Sequence, residues 1–186
     1  MKQAIMLHGT GGSESDYFWF ADTKEFLESE GYDVWWPLLP STNAPNLSES
    51  REFLKNNMPE VNENTVIIAH SSACPLILSI LQGNEATVGQ VVLVAGYYES
   101  ISDESTSMLP ESGFDWELIK SKSKVFMFIN SDNDPWKCTD DQARAAAKEL
   151  GASLIVNFGE GHMGSSSFNQ PYREFSLLKK LLKVED

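Results

Sequence analysis

Residues 65–70, "TVIIAH", form an apolar run with no polar alternation, and residues 90–96, "QVVLVAG", form another. A strand with one solvated face alternates apolar and polar side chains, whereas a strand covered on both faces does not. Such runs require helices on both sides of a sheet, and amphipathic stretches do separate them. Further strands are predicted at "QAIML" (3–7), "YDVWW" (32–36), "KVFMFIN" (124–130) and "ASLIVNF" (152–158). Helices are predicted over about 17–30, 47–58, 72–82, 139–150 and 171–182. Gly31 stops the first helix, Pro37 closes the second strand, and Thr139 stands at an N-cap before Asp140 and Asp141. This alternation predicts an α/β fold: a three-layer α/β/α sandwich with a mostly parallel sheet of about six strands. A length of 186 residues suits one domain, 1–186, around one core.

Composition narrows the partners. The formal net charge is −13, from 14 basic and 27 acidic residues, which repels phosphate backbones and anionic membranes. Neither a nucleic acid nor a membrane is expected as a partner. No window approaches the roughly 18 apolar residues of a membrane helix, and "MKQAIMLHG" reads as a first strand rather than a signal peptide. Cys74 and Cys138, the two cysteines, make neither a disulfide framework nor a four-ligand metal site. A cytoplasmic, reducing location follows as the expectation, with no metal. The sequon Asn46-Leu47-Ser48 is then a chance match.

Ligands of a parallel sheet bind beyond the carboxyl ends of its strands. The segments there are "HGTGGS" (8–13), "PLLPSTN", "SSAC", "YYESISDESTS", "SDNDPW" and "GEGHMGSSS". They contain a Ser, then an Asp, then a His. A serine hydroxyl becomes a competent nucleophile when an imidazole takes its proton, and a carboxylate holds that imidazole in one tautomer. Of the three histidines, His8 opens the first turn and suits a loop-orienting role. His70 immediately precedes Ser71, so its side chain points away from that serine's. His162 lies beyond the last strand and is the candidate base. Asp132 and Asp134 both follow the fifth strand within good turn chemistry; Pro135 extends the residue before it and favours Asp134.

The segments "MLHGTGGSESDYFWF", "IIAHSSACPLI", "INSDNDPW" and "GEGHMG" resemble the α/β-hydrolase superfamily. Within it, the chain is similar to the small serine hydrolases of the retinoblastoma-binding protein 9 and YdeN-like type. The resemblance spans nearly the whole chain and implies a minimal α/β-hydrolase fold with no large cap domain. It leaves residues 97–123 as a short lid bearing Tyr97, Tyr98 and Trp116. It implies Ser71 as nucleophile, Asp134 as acid and His162 as base, with the backbone N–H groups of Thr10 and Ser72 facing the oxyanion. Gly11 is the alternative to Thr10. The implied activity is carboxylesterase-like hydrolysis (EC 3.1.1) of an ester, thioester or amide through an acyl-serine, with no cofactor. Acyl transfer by the same residues, or a protein-interaction module on this fold, are the alternatives. The expected substrate is a small acyl compound with an apolar part, met by His8, Trp35, Tyr97 and Trp136, although at least half of the aromatics belong in the core. A monomer or weak homodimer is expected.

The resemblance raises one difficulty. Its nucleophile motif, G-x-S-x-G, here reads Ala69-His70-Ser71-Ser72-Ala73. The flanking positions must be small so that strand and helix approach closely, and alanine adds one methyl at each. Centring on Ser72 would place the bulky His70 there, so the size requirement selects Ser71. Pro75 fits the first helical turn, where a missing donor costs little, and Cys74 reads as a small buried residue.

Overall fold

The computed structural model describes residues 1–13 and 16–182. Its strands are β1 (Gln3–Leu7), β2 (Asp33–Trp35), β3 (Thr65–His70), β4 (Val88–Val94), β5 (Ser123–Asn130) and β6 (Ser153–Val156). Its helices are α1 (Phe20–Ser29), α2 (Leu47–Asn57), α3 (Ala73–Gln82), α4 (Trp116–Lys120), α5 (Asp140–Leu150) and α6 (Ser176–Leu181), with a 3₁₀ turn at Glu104–Met108. The six strands form one sheet in the order β2-β1-β3-β4-β5-β6, and every neighbouring pair is parallel. Helices cover it, with no large cap domain among the described residues. β3 is buried along its whole length, as a run without alternation requires. Trp19, Phe20, Phe128 and Phe175 are among the largest fully enclosed side chains.

The chain steps from β1 to one side, forming β2, and then returns to the other side as β3. The order therefore reverses between β1 and β3, and a crevice opens at their carboxyl ends. The loop after β1 and the turn after β3 flank that crevice. The register Leu7↔Ala69 brings them level.

Several boundaries differ from the periodicity for local reasons. The first helix starts at Phe20, because Phe18 takes a left-handed φ of 51°. The fourth strand stops at Val94, because Ala95 turns with φ 48°. A Cβ on the next residue, Gly96, would lie 2.6 Å from Cys74 Cβ, so glycine permits that close approach. The last helix begins only at Ser176, after Tyr172 with φ 38°. Thr139 precedes α5 as expected but makes no side-chain capping bond; Asn46 does cap α2, accepting the Glu49 N–H at 3.2 Å. The segment 97–123 contains the 3₁₀ turn and α4, which packs on α3 and α5 as the crossover between β4 and β5. Its Tyr97 and Tyr98 are buried, so these two rings serve the core rather than a lid.

Candidate active site

At the end of β3, Ser71 adopts φ 55°. That left-handed geometry costs a non-glycine residue on the order of 1–3 kcal/mol. The fold holds it there through the Ser71 N–H, which donates to Val94 O at 2.9 Å, and through the Cys74 N–H, which donates back to Ser71 O at 2.9 Å. Ala69 and Ala73 flank it with no exposed surface. Cys74 is likewise enclosed, and burial pushes its thiol well above the usual range.

The loop after β1 comes in against this turn. A Cβ on Gly9 would lie 2.7 Å from Ser71 Cβ, so glycine permits the contact. The loop's donors are distributed distinctly. Gly9 N–H donates to Tyr17 Oη at 3.0 Å, Gly11 N–H to Thr42 O at 2.7 Å and Gly12 N–H to Gly9 O at 3.2 Å. The Thr10 N–H makes no hydrogen bond to any described residue, nor does that of Ser72. The two side chains meet directly, with Thr10 Oγ1 and Ser72 Oγ 3.1 Å apart. Two uncommitted N–H groups on linked residues beside Ser71 are what an oxyanion requires. Gly11 is the weaker alternative, since its N–H is already engaged.

His162 and Asp134 are both buried, and His162 Nδ1 lies 2.7 Å from Asp134 Oδ2. With Nδ1 facing the carboxylate, Nε2 is the ring atom left to accept a proton. Asp134 Oδ1 also accepts the Trp136 N–H at 2.7 Å. Asp132 is exposed and instead accepts the Gly159 N–H at 2.8 Å. The two carboxylates thus divide the work: one reaches the imidazole, and the other braces the imidazole's loop.

That loop is held from several sides. Asn133 Oδ1 accepts the Gly161 N–H at 2.8 Å, and Gln170 Oε1 accepts the His162 N–H at 3.0 Å. Trp19 Nε1 donates to Met163 O at 2.8 Å. His70, fully enclosed, puts Nε2 2.9 Å from His162 O and Nδ1 3.0 Å from Tyr17 Oη. Burial, with a smaller contribution from His162, holds the His70 pKa well below the usual imidazole value, so the ring is neutral. No motif or periodicity in the sequence marks these supports. A histidine inside an otherwise apolar strand was the one available signal, because a buried polar ring needs partners.

The four side chains expected to meet substrate occupy different surroundings. His8 is buried and its Nε2 accepts the Leu39 N–H at 2.9 Å, which ties the loop after β1 to that after β2. Tyr97 is buried with its hydroxyl donating to Ser105 O at 3.4 Å. In both, the polar atoms named are engaged with the protein's own backbone. Trp35 is half-buried on the edge strand β2. Trp136 is 47 % exposed, its ring edge-on to Phe168 at 5.2 Å and its Nε1 donating to Ser165 Oγ at 3.2 Å.

Among the described residues, Asp134, Cys138 and His162 have ligand atoms within 4.8 Å of one another. Asp134 and His162 are already engaged with each other, and burial with the Asp134 charge pushes the Cys138 thiol up. Among the described residues, no helix is long and apolar enough to cross a membrane.

Comparison with known proteins bears on the family and the fold. The profile of the family described as serine hydrolase matches residues 4–180. YdeN of Bacillus subtilis (strain 168), named as a hydrolase, is 28 % identical over 169 residues, covering 87 % of this chain and 85 % of its own. The crystal structure of the B. subtilis ydeN gene product has a TM-score of 0.87 at 24 % identity, covering 98 % of this chain and 97 % of that one. Est1E from Butyrivibrio proteoclasticus, solved with ferulic acid bound, gives 0.68 at 10 % identity, covering 98 % and 87 %.

Proposed function

This chain belongs to the serine hydrolase family, and from that premise we propose that it cleaves a carboxylic ester through an acyl-enzyme on Ser71. The observation that carries the reading is the buried His162–Asp134 pair, 2.7 Å apart, at the same sheet edge as the left-handed Ser71.

In this reaction Ser71 Oγ attacks the substrate carbonyl carbon as His162 Nε2 takes the hydroxyl proton. The Asp134 carboxylate stabilises the imidazolium that forms. The carbonyl oxygen gains the negative charge, and the N–H groups of Thr10 and Ser72 receive it; each such donor lowers the barrier by about 3 kcal/mol. Collapse breaks the carbon–oxygen bond, and His162 returns the proton to the departing alcohol. Water then attacks the acyl-serine by the same route and frees the acid. Thioesters and amides are open to the same steps. The half-exposed Trp136 and Phe168 offer an apolar surface beside the site, which favours an ester with an apolar part.

A fluorophosphonate probe tests the assignment. Labelling should be abolished by Ser71→Ala and retained by Ser72→Ala; retention in the first variant would refute it. A panel of p-nitrophenyl esters of increasing chain length, with aminoacyl arylamides alongside, then separates esterase from amidase activity.

A further inference from the structure

The hydrogen bonds behind the site have a polarity that a single atom determines. His162 O is a backbone carbonyl and can only accept. His70 Nε2, 2.9 Å away, must therefore carry a proton and donate it. A neutral imidazole with a protonated Nε2 has a bare Nδ1, which accepts from the Tyr17 hydroxyl at 3.0 Å. With its proton so directed, Tyr17 Oη offers a lone pair, and the Gly9 N–H donates to it at 3.0 Å. The chain runs one way: Gly9 N–H to Tyr17 O–H to His70 Nδ1, and His70 Nε2–H to His162 C=O.

We infer that Tyr17 and His70 are positioning residues for the reaction proposed above, a buried strut that fixes the oxyanion loop and the His162 loop relative to each other across Ser71. One end of the strut is the residue before Thr10. The other is the main chain of His162 itself, and the middle is the residue before Ser71. Each of the three moving parts of the reaction is thus one covalent step or less from the same hydrogen-bonded chain. The strut is dry: His70 has no exposed surface and Tyr17 is 4 % exposed. Aromatic rings pack around it, with Tyr17, Phe18 and Trp19 at 5.6, 6.3 and 5.9 Å from the His70 ring and His162 at 4.8 Å. In such surroundings consecutive hydrogen bonds reinforce one another, and a broken one finds no water to replace it. The consequence belongs to the transition state, because oxyanion donors and a general base must be held within a fraction of an ångström of their working positions.

The strut rests on the hydrolase reading, so its test has an arm that needs no activity. Nitrogen-15 NMR of the unmutated protein should show His70 with Nε2 protonated and Nδ1 bare across roughly pH 5 to 8. A protonated Nδ1, or an imidazolium in that range, would overturn the inference whatever the protein hydrolyses. The kinetic arm compares Tyr17→Phe, His70→Gln and His70→Asn on a p-nitrophenyl ester. A glutamine amide can replace the Nε2–H, whereas an asparagine oxygen can replace only the Nδ1 lone pair. Tyr17→Phe and His70→Asn should each lower kcat by about tenfold or more with KM held within about twofold, and His70→Gln should recover part of that loss. In Tyr17→Phe/His70→Gln the two losses should combine to less than their product, since both act on one chain. Singles within twofold of the unmutated enzyme, fully multiplicative losses, or better recovery with asparagine than with glutamine would each refute the strut. Absence of fluorophosphonate labelling in the unmutated protein refutes the hydrolase reading instead, and the tautomer measurement separates the two failures.

Discussion

The two rims of the sheet are made of opposite materials. At the carboxyl rim, polar groups are buried and paired: His8, His70, Asp134 and His162 are all under 7 % exposed. Left-handed non-glycine residues gather there too, at Ser71, Ala95 and Met163. At the amino rim, an open groove lies between the end of α2 and the end of α3, with walls that include Lys55, Met58, Glu60 and Asn84. Charges at that rim stay in water, as in the Lys124–Glu63 pair at 2.8 Å with side chains 55 % and 67 % exposed. The groove's walls include no left-handed residue and no buried charged side chain. The contrast shows where this fold gives up stability for geometry: each strained residue costs on the order of 1–3 kcal/mol, accepted at one rim and avoided at the other.

Substitutions that remove the reacting groups should separate the rims most sharply. Ser71→Ala or His162→Ala should lower kcat by about 10⁴- to 10⁶-fold with the far-ultraviolet circular dichroism unchanged. Near-normal turnover in either would erase the distinction.

The two aspartates after β5 come next. Asp134→Asn should lower kcat by about 10⁴-fold, because an amide no longer selects the working His162 tautomer. Asp132→Asn loosens only the Gly159 contact and should cost less than about tenfold. Steady-state rates on one ester decide this, and equal losses would contradict the division of labour.

A smaller effect concerns acid stability. The native His70 pKa is depressed by burial, whereas the unfolded histidine titrates near 6.5. As pH falls below that value, the unfolded state binds a proton that the native state refuses. Stability therefore falls with acidification, by at most about 1.4 kcal/mol per pH unit from this one site. Urea unfolding from neutral to mildly acidic pH should show a shallower decline in His70→Gln than in the unmutated protein. Parallel declines would mean that His70 is not the group responsible.

The smallest effect belongs to the amino rim. Lys55→Ala and Glu60→Ala should leave kcat/KM unchanged and shift unfolding free energy by no more than about 0.5 kcal/mol. A loss of activity there would join two surfaces that the fold keeps apart.

How far the sequence could be read follows the same division. The buried strands were legible because unbroken apolar runs such as "TVIIAH" admit few other structures. The meeting of the Asp134 and His162 segments was legible because parallel strands deliver their following loops to one edge. The supports were not. Tyr17 belongs to the aromatic run "YFWF", whose pattern reads as the start of a helix, and its hydroxyl role depends on the turn at Phe18. Gln170 reaches the His162 N–H from a segment without periodicity. The two aspartates share one turn motif in which Pro135 favours Asp134, and the tertiary approach of the last loop pairs Asp134 with His162 and Asp132 with Gly159.

The long sequence separations at the site bear on how the protein comes together. Thr10 and Ser72 meet across 62 positions, and His70 meets His162 across 92. Contacts so distant in the chain form late, after much loop entropy has been lost, and parallel sheets assemble slowly for the same reason. A refolding molecule can acquire most of its helix content before these loops dock. Stopped-flow ellipticity should therefore run ahead of fluorophosphonate reactivity at Ser71, making probe labelling a clock for the final stage of folding.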